Sequence, residues 1–177
     1  MEKKTEILFI LMKVFAYIAF IGLSIEAGSI LVSLIVSLVV SGQAAQNLYL
    51  GLNLGKLHEL SLGSYVVLGA LIFAIYVLKA LLAYFLIRIL DTLKPDNPFQ
   101  EKVVHLISKL GNTALTAGFV GVFVNLLVTQ VLNIAYRIQL PVKFDVSEFF
   151  FLAGIIFILS KIFKRGVEIQ TENELTV

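Results

Sequence analysis

Two ionisable residues inside long apolar runs are the first candidates for chemistry in this chain. Glu26 lies in the run from Ile7 to Val40, and Lys79 lies in the run from Tyr65 to Leu90. A charge near the centre of a bilayer costs about 2.5 kcal/mol or more, so such residues pair with each other or line a functional path. Counted from the membrane edge, the two predicted depths differ by about one helical turn. The sequence therefore predicts a structural Glu26–Lys79 ion pair. The alternatives for Glu26 are a proton, ion or ligand site, or a position without a special role that faces a lumen or extends toward the headgroups.

Short polar side chains form two further rows at helical spacing. Polar residues within membrane helices face other helices or a cavity rather than lipid. We therefore expect both rows to lie in the interior of a helical bundle, where they support packing or, with Glu26 and Lys79, a path for a solute. The row on the first apolar run is Ser29, Ser33 and Ser37, and the row on the third is Asn125, Thr129 and Asn133.

The residue types that most enzymes and metal sites require are missing or scattered. The chain has no cysteine, and its two histidines, His58 and His105, are predicted on opposite sides of a membrane. It has no HExxH or GxSxG motif, no phosphate-binding glycine loop and no acidic cluster. We predict no enzymatic activity, cofactor or metal. The net charge of +2 is too small and dispersed for direct binding of nucleic acid.

The composition identifies the elements that carry these residues. Hydrophobic residues make up 59% of the 177 residues and charged residues 15%, with a mean hydropathy of +0.95. A soluble domain has about 45 to 50% apolar and about 25% charged residues. The sequence predicts one all-α integral membrane domain over residues 1–177, a four-helix bundle. The predicted spans are about 13–40, 65–90, 112–134 and 148–164, followed by a tail over 165–177.

The basic residues between the spans predict the orientation. With four crossings, nearly all lysines and arginines share one side with both termini, and Lys56, Arg137 and Lys143 lie on the other. Without the fourth crossing, the two sides carry nearly equal numbers. Cytoplasmic loops are enriched in Lys and Arg, so both termini are predicted to be cytoplasmic. Lys161, inside the short fourth run, is expected to extend toward the headgroups.

Two predicted cytoplasmic segments could bind a partner. In the first, residues 92–109, Asn97 is predicted to cap a helix that starts at Pro98 and extends the third span as an amphipathic segment. That segment either rests on the membrane surface or binds a partner. The C-terminal tail is either a topological stop or a recognition peptide. The candidate partner-binding residues are Asn97, Pro98, Phe99, Lys164, Arg165, Gly166, Glu168, Leu175 and Val177.

Two external segments alternate apolar and polar residues. The alternation runs over Leu48–Leu54 and again over Leu140–Val146. A period of two fits half-buried strands, so the segments form either a small two-stranded ribbon or two irregular interfacial loops.

Three segments carry a resemblance to a known family. These are IGLSIEAGSILVSL, LKALLAYFLIRILDTLKPDNPFQEKVVHLISKLG and IFKRGVEIQTENELTV, which resemble the bacterial multi-span membrane proteins of DUF2975, a domain of unknown function. The most specific parts are Asn97-Pro98-Phe99 and the tail from Phe163. The resemblance implies a four-helix inner-membrane protein with no established activity. Such proteins are often encoded beside a small helix-turn-helix regulator, which implies a cytoplasmic partner, and no catalytic residues carry over.

These features favour a non-enzymatic sensor or regulatory membrane protein that binds a cytoplasmic regulator protein through residues 92–109 and the C-terminal tail. The alternative is a small transporter or channel that uses Glu26 and Lys79. The expected partners are membrane lipid and the regulator protein. The small residues within the spans also permit a homo-oligomer.

Overall fold

The computed structural model of the chain describes residues 2–93 and 97–174, and these are almost entirely helical. The prediction of an all-α protein is confirmed, and the described residues form no strand. Six α-helices, two 3-10 turns and one π-helical segment follow in the order α1 (Glu2–Val39), 3-10 (Gly42–Gln46), 3-10 (Tyr49–Gly51), α2 (Gly55–Leu60), α3 (Leu62–Thr92), α4 (Glu101–Leu126), π (Leu127–Leu132), α5 (Asn133–Tyr136) and α6 (Ser147–Glu174).

Three helices in the described residues are long and apolar enough to cross a membrane. They cover Glu6–Val39, Leu62–Thr92 and Glu101–Tyr136, the last of which joins α4, the π-helical segment and α5. This agrees with the prediction of a multi-pass membrane protein. The 28-residue helix α6 is not among them, because its apolar part is short and is bounded by Glu148, Lys161 and Lys164.

The four long helices pack in chain order, α1 on α3, α3 on α4, and α4 on α6. Each neighbouring pair is antiparallel. The Ser37 hydroxyl, near the end of α1, contacts the Tyr65 hydroxyl at the start of α3. The hydroxyls of Ser108 on α4 and Ser160 on α6 lie 2.8 Å apart. In the part of the chain that the structure describes, no comparable contact joins α1 to α6, so the helices form an open series.

The antiparallel packing gives the molecule two ends. The proximal end contains the start of α1, the α3–α4 connection and the end of α6. The distal end contains residues 40–61 and 137–146. The largest apolar cluster lies at the distal end, where Leu48, Leu54 and Leu57 are fully buried. Many large apolar residues on the outer faces are exposed, as expected for helices that contact lipid.

The alternating distal segments do not form a ribbon within the described residues. Leu50 and Gly51 both have a left-handed backbone, with φ angles of 59° and 72°, so the chain turns back on itself. A single bridge joins Leu48 to Leu52, and the other segment has no regular structure over 138–146. The alternation nevertheless reflects burial, because side chains of both segments pack into the distal apolar cluster. The two segments are irregular loops.

Helix α4 begins later than the sequence predicts. Its N-cap is Gln100, which has an extended backbone at φ −119° and ψ 139°. The Gln100 carbonyl accepts hydrogen bonds from the amides of Val103 and Val104. Asn97 is therefore not the cap, and its carbonyl accepts a hydrogen bond of 2.8 Å from the Gln100 side-chain amide. The prediction was wrong because the chain turns Phe99 onto α6 before the helix starts.

Candidate functional site

The proximal end brings the two predicted partner-binding segments into contact. The aromatic rings of Phe99 and Phe163 lie 5.6 Å apart between centroids and are tilted by 60°. The Phe99 ring also covers Gly166, where a β-carbon would overlap three of its ring atoms. Glycine at position 166 is therefore needed for the close approach of the two segments. Asn97-Pro98-Phe99 and the end of α6 form one surface, named here the proximal face.

An apolar cluster lies beneath the proximal face and holds it in place. Because this cluster draws on α3, α4 and α6, the packing of three helices fixes the position of the connection. Its buried members are Ile89, Val103, Leu106, Ile107 and Ile156, and Phe85, Leu93, Leu110 and Phe163 pack against them.

The outer part of the proximal face is charged and helical. Lys164, Arg165 and Glu168 are exposed, and the Arg165 guanidinium donates to the Glu168 carboxylate at 2.9 Å. An exposed pair of this kind adds little stability. Helix α6 continues to Glu174, so the predicted tail is helical over most of its length. Leu175 and Val177 lie outside the described residues.

An ion pair that the sequence did not predict joins α1 to α3 at the proximal end. The Lys13 ammonium lies 3.0 Å from the Asp91 carboxylate. The Tyr17 hydroxyl also contacts this carboxylate, at 3.4 Å. The sequence contained a signal for this ion pair, because Lys13 and Asp91 both lie near the same predicted membrane boundary on successive predicted spans.

The predicted pair of Glu26 and Lys79 is not formed. Glu26 is partly exposed on α1, and no ion pair joins it to Lys79. The Lys79 ammonium instead lies 5.3 Å from the ring centroid of Tyr76. Tyr76 precedes Lys79 by three residues and lies on the same face of α3. The cation–π contact of Lys79 is therefore within α3 and does not join α3 to α1.

The serine row of α1 faces α3 and the distal turns. The buried Ser37 hydroxyl donates to the Leu34 carbonyl at 2.7 Å and also contacts the Tyr65 hydroxyl. The Ser33 hydroxyl donates to a carbonyl of its own helix and accepts a hydrogen bond of 3.4 Å from the Tyr49 amide. Ser29 lines an open groove of about 480 Å³ beside the distal turns.

The polar row on the third membrane helix anchors the distal loop. The Asn125 side chain accepts from the Phe144 amide at 2.9 Å and donates to the Phe144 carbonyl at 2.8 Å. Asn133 accepts a hydrogen bond of 3.1 Å from the Leu140 amide. Thr129 is exposed, and its hydroxyl donates to a carbonyl of its own helix. The two amides thus give the loop backbone the partners that a neighbouring strand would supply.

Sequence reasoning missed an aromatic and hydroxyl cluster at the distal end. The Tyr136 hydroxyl lies 3.0 Å from the Ser64 hydroxyl, and Ser61 caps α3 by accepting from the Ser64 amide. His58 packs edge-on against Tyr65 with ring centroids 4.8 Å apart. Among the described residues, no group of three or more His, Cys, Asp or Glu could hold a metal ion.

Comparison with known proteins identifies the family without a function. The family model described as "Protein of unknown function (DUF2975)" matches residues 41–177. No curated protein and no solved structure matches the chain. The matched region includes the Phe99 and Gly166 contact, whereas α1 with Glu26 precedes it. Because the match covers well over half of its residues, the chain belongs to the DUF2975 family.

Proposed function

We propose that this protein is a non-enzymatic sensor or regulatory membrane protein that binds a cytoplasmic partner protein through its proximal face. One observation carries the proposal. Phe99 packs on Phe163 and Gly166, so residues 97–99 and the end of α6 form one surface. A partner that binds over the Phe99 contact therefore reaches both segments.

The proposed orientation places this face in the cytoplasm of a bacterium. Most of the basic residues belong to the proximal end, while Lys56, Arg137 and Lys143 belong to the distal end. Under the positive-inside rule the proximal end is then cytoplasmic and α6 is a fourth membrane span in an inner membrane. The 28 residues of α6 measure about 42 Å at 1.5 Å per residue, against a hydrocarbon core of about 30 Å. Its last turns therefore project into the cytoplasm.

The projecting part of α6 offers an anchor for a partner. Ile169 is 45% exposed and lies beside charged residues, one turn beyond Arg165. Phe99 is 37% exposed, although its ring packs on α6. Interfaces are enriched in aromatic residues and arginine, and exposed apolar residues on a helix dock into grooves of partner proteins.

The transporter alternative has weaker support. Glu26 and Lys79 form no ion pair, and Asn125 and Asn133 bind loop backbone instead of lining a path.

Site-specific photo-crosslinking in the native host tests the proposal. A photo-crosslinking residue in place of Ile169 is expected to yield a single adduct that contains one copy of this chain and one copy of a soluble protein. The same residue in place of Lys143, at the distal end, is the matched control and should yield no such adduct. Substitution of Gly166→Leu, which displaces Phe99, should abolish the adduct at position 169. Absence of an adduct at position 169, or the same adduct at both positions, would contradict the proposal.

A further inference from the structure

A groove between α4 and α6 near the proximal end carries positive charge without a partner. Its volume is about 550 Å³, and its lining includes Lys161 and Lys164. Both lysines are exposed, and neither forms an ion pair with any described residue. Lys13 and Arg165, by contrast, each have a carboxylate partner.

The floor of the groove is polar and fixed by helix packing. The hydroxyls of Ser108 and Ser160 join α4 to α6 at 2.8 Å. Gly111 permits the close approach of the helices, since a β-carbon there would lie 3.1 Å from Ile156. The exposed Asn112 side chain adds a hydrogen-bond donor at the edge. The lining contains cations and hydrogen-bond donors but no acidic residue, which is a suitable environment for a phosphate group.

The groove also has an apolar wall. This wall favours a phospholipid over a soluble phosphate as the occupant. Ile158 lines the groove and is 63% exposed, and the apolar surface continues to Ile155, which is 42% exposed. The lysines follow this apolar surface toward the proximal end. A phospholipid has the same order of parts, with an anionic headgroup above an acyl chain. A soluble anion would use the lysines and leave the apolar wall uncovered.

We propose that this groove binds one anionic phospholipid, with Lys161 and Lys164 at the phosphate and an acyl chain along Ile158. Basic pockets between membrane helices on the cytoplasmic side are suited to such headgroups. The proposal depends on the fourth crossing of the membrane by α6 and is independent of partner binding.

Fluorescence quenching by brominated lipids tests the site. The chain contains no tryptophan, so one introduced indole reports alone. Ile162 is 56% exposed and lies one helical turn from Ile158 on the same side of α6, so an indole there adjoins the groove. Full-length Ile162→Trp protein is placed in nanodiscs of phosphatidylcholine and phosphatidylglycerol, and one of the two lipids is brominated at a time. Brominated phosphatidylglycerol should quench the indole at position 162 more than its share of the lipid predicts. The indole of the control variant, Phe151→Trp on the same helix, should respond to each lipid in proportion to its share.

Two pairs of lysine substitutions separate a site from general surface charge. Lys161→Gln with Lys164→Gln should weaken the preference for phosphatidylglycerol about 25-fold, at about fivefold per lysine. Lys102→Gln with Lys109→Gln removes the same charge from exposed positions outside the groove and should leave the preference unchanged. Circular dichroism verifies that each variant remains helical.

Several results would overturn the lipid site. Equal effects of the two lysine pairs, or proportional quenching at position 162, would leave only surface charge. Displacement of the lipid by millimolar inorganic phosphate would identify a soluble anion as the occupant. If neither brominated lipid quenches the indole at position 151, the fourth crossing fails as well. Normal quenching at position 151 with no preference at position 162 overturns the lipid site alone.

Discussion

Asn125 hydrogen-bonds both backbone groups of Phe144, at 2.9 and 2.8 Å, and this pairing determines what its substitution does. Asn125→Leu keeps a side chain of similar size but leaves the Phe144 amide and carbonyl without partners. We expect a loss of about 1 to 3 kcal/mol in the free energy of unfolding, measured by denaturant titration in micelles. Amide exchange over residues 138–146 should also accelerate.

Thr129→Val is the matched control for this loss. Thr129 is exposed and hydrogen-bonds a carbonyl of its own helix, so its replacement should change the free energy of unfolding by less than about 0.5 kcal/mol. Equal effects of the two substitutions would show that Asn125 does not hold the distal loop.

Asp145 makes the start of α6 sensitive to acid. Hydrogen bonds from the Ser147 hydroxyl and amide, and then the charge of Lys143, lower the pKa of Asp145 below its ordinary value of 3.8. A lowered pKa means that the stabilisation is complete above the ordinary value and is lost as the pH falls through the lowered one. We expect amide exchange at Ser147, corrected for its intrinsic rate, to accelerate over that acidic range.

The variant Asp145→Asn controls for this effect, since it has no carboxylate to titrate. Its corrected exchange at Ser147 should stay constant over the same range. An acid transition that persists in this variant would assign the effect to another group.

Sequence reasoning identified the ionisable residues of the apolar helices, but it paired Glu26 with Lys79, which form no ion pair. Glu26 and Lys79 agree in depth, yet depth along the helix axis does not give the direction in which a side chain points. Rotation about the axis decides whether two side chains meet, and it depends on packing that a single sequence does not contain. Lys13 and Asp91 agree in both depth and direction, and they form the ion pair.

Among the elements, the end of α6 depends on the absence of a side chain at Gly166. In Gly166→Ala the added methyl group overlaps the Phe99 ring and displaces it. We expect a loss of about 1 to 3 kcal/mol in the free energy of unfolding and faster amide exchange over residues 97–100. Phe99→Ala in the same chain should remove the clash, so the two effects should be non-additive.

Gly154→Ala provides a control on the same helix. A β-carbon at this position meets no atom within 4 Å. Alanine favours the helix over glycine, so the free energy of unfolding should stay level or rise by up to about 1 kcal/mol. If Gly154→Ala lowers the free energy of unfolding as much as Gly166→Ala does, the loss in Gly166→Ala is not caused by the Phe99 contact.

Local sequence patterns predicted where the long helices lie but not where α4 begins or how the distal loop folds. Hydropathy located the long helices because apolar length is a property of the sequence alone. It did not locate the start of α4, because Phe99 is drawn onto α6 by a contact about 65 residues away along the chain. The alternating leucines of the distal loop suggested strands, but Leu50 and Gly51 turn the chain within that loop.

For the whole molecule, the sequence predicted a membrane protein but not the order of packing. Residues that face lipid and residues that face protein are equally apolar in membrane helices, so hydropathy does not separate them. The structure shows α1 packed on α3, with Ser37 on Tyr65 at the distal end and Lys13 on Asp91 at the proximal end. In the described residues, the outer surfaces of α1 and α6 carry exposed apolar side chains.

The proposed four crossings predict which residues can be labelled from outside the cell, and the packing of Phe99 on α6 links two of these residues. The chain has no cysteine, so single cysteines at exposed positions report their compartment through a membrane-impermeant maleimide. We expect Lys143→Cys to react in intact cells, and Lys102→Cys and Ile169→Cys to react only after permeabilisation. Because Phe99 contacts Phe163 and Gly166, positions 102 and 169 belong to one end of the molecule and must react alike. Reaction of position 169 in intact cells, with position 102 protected, would contradict both the fourth crossing and the proximal face.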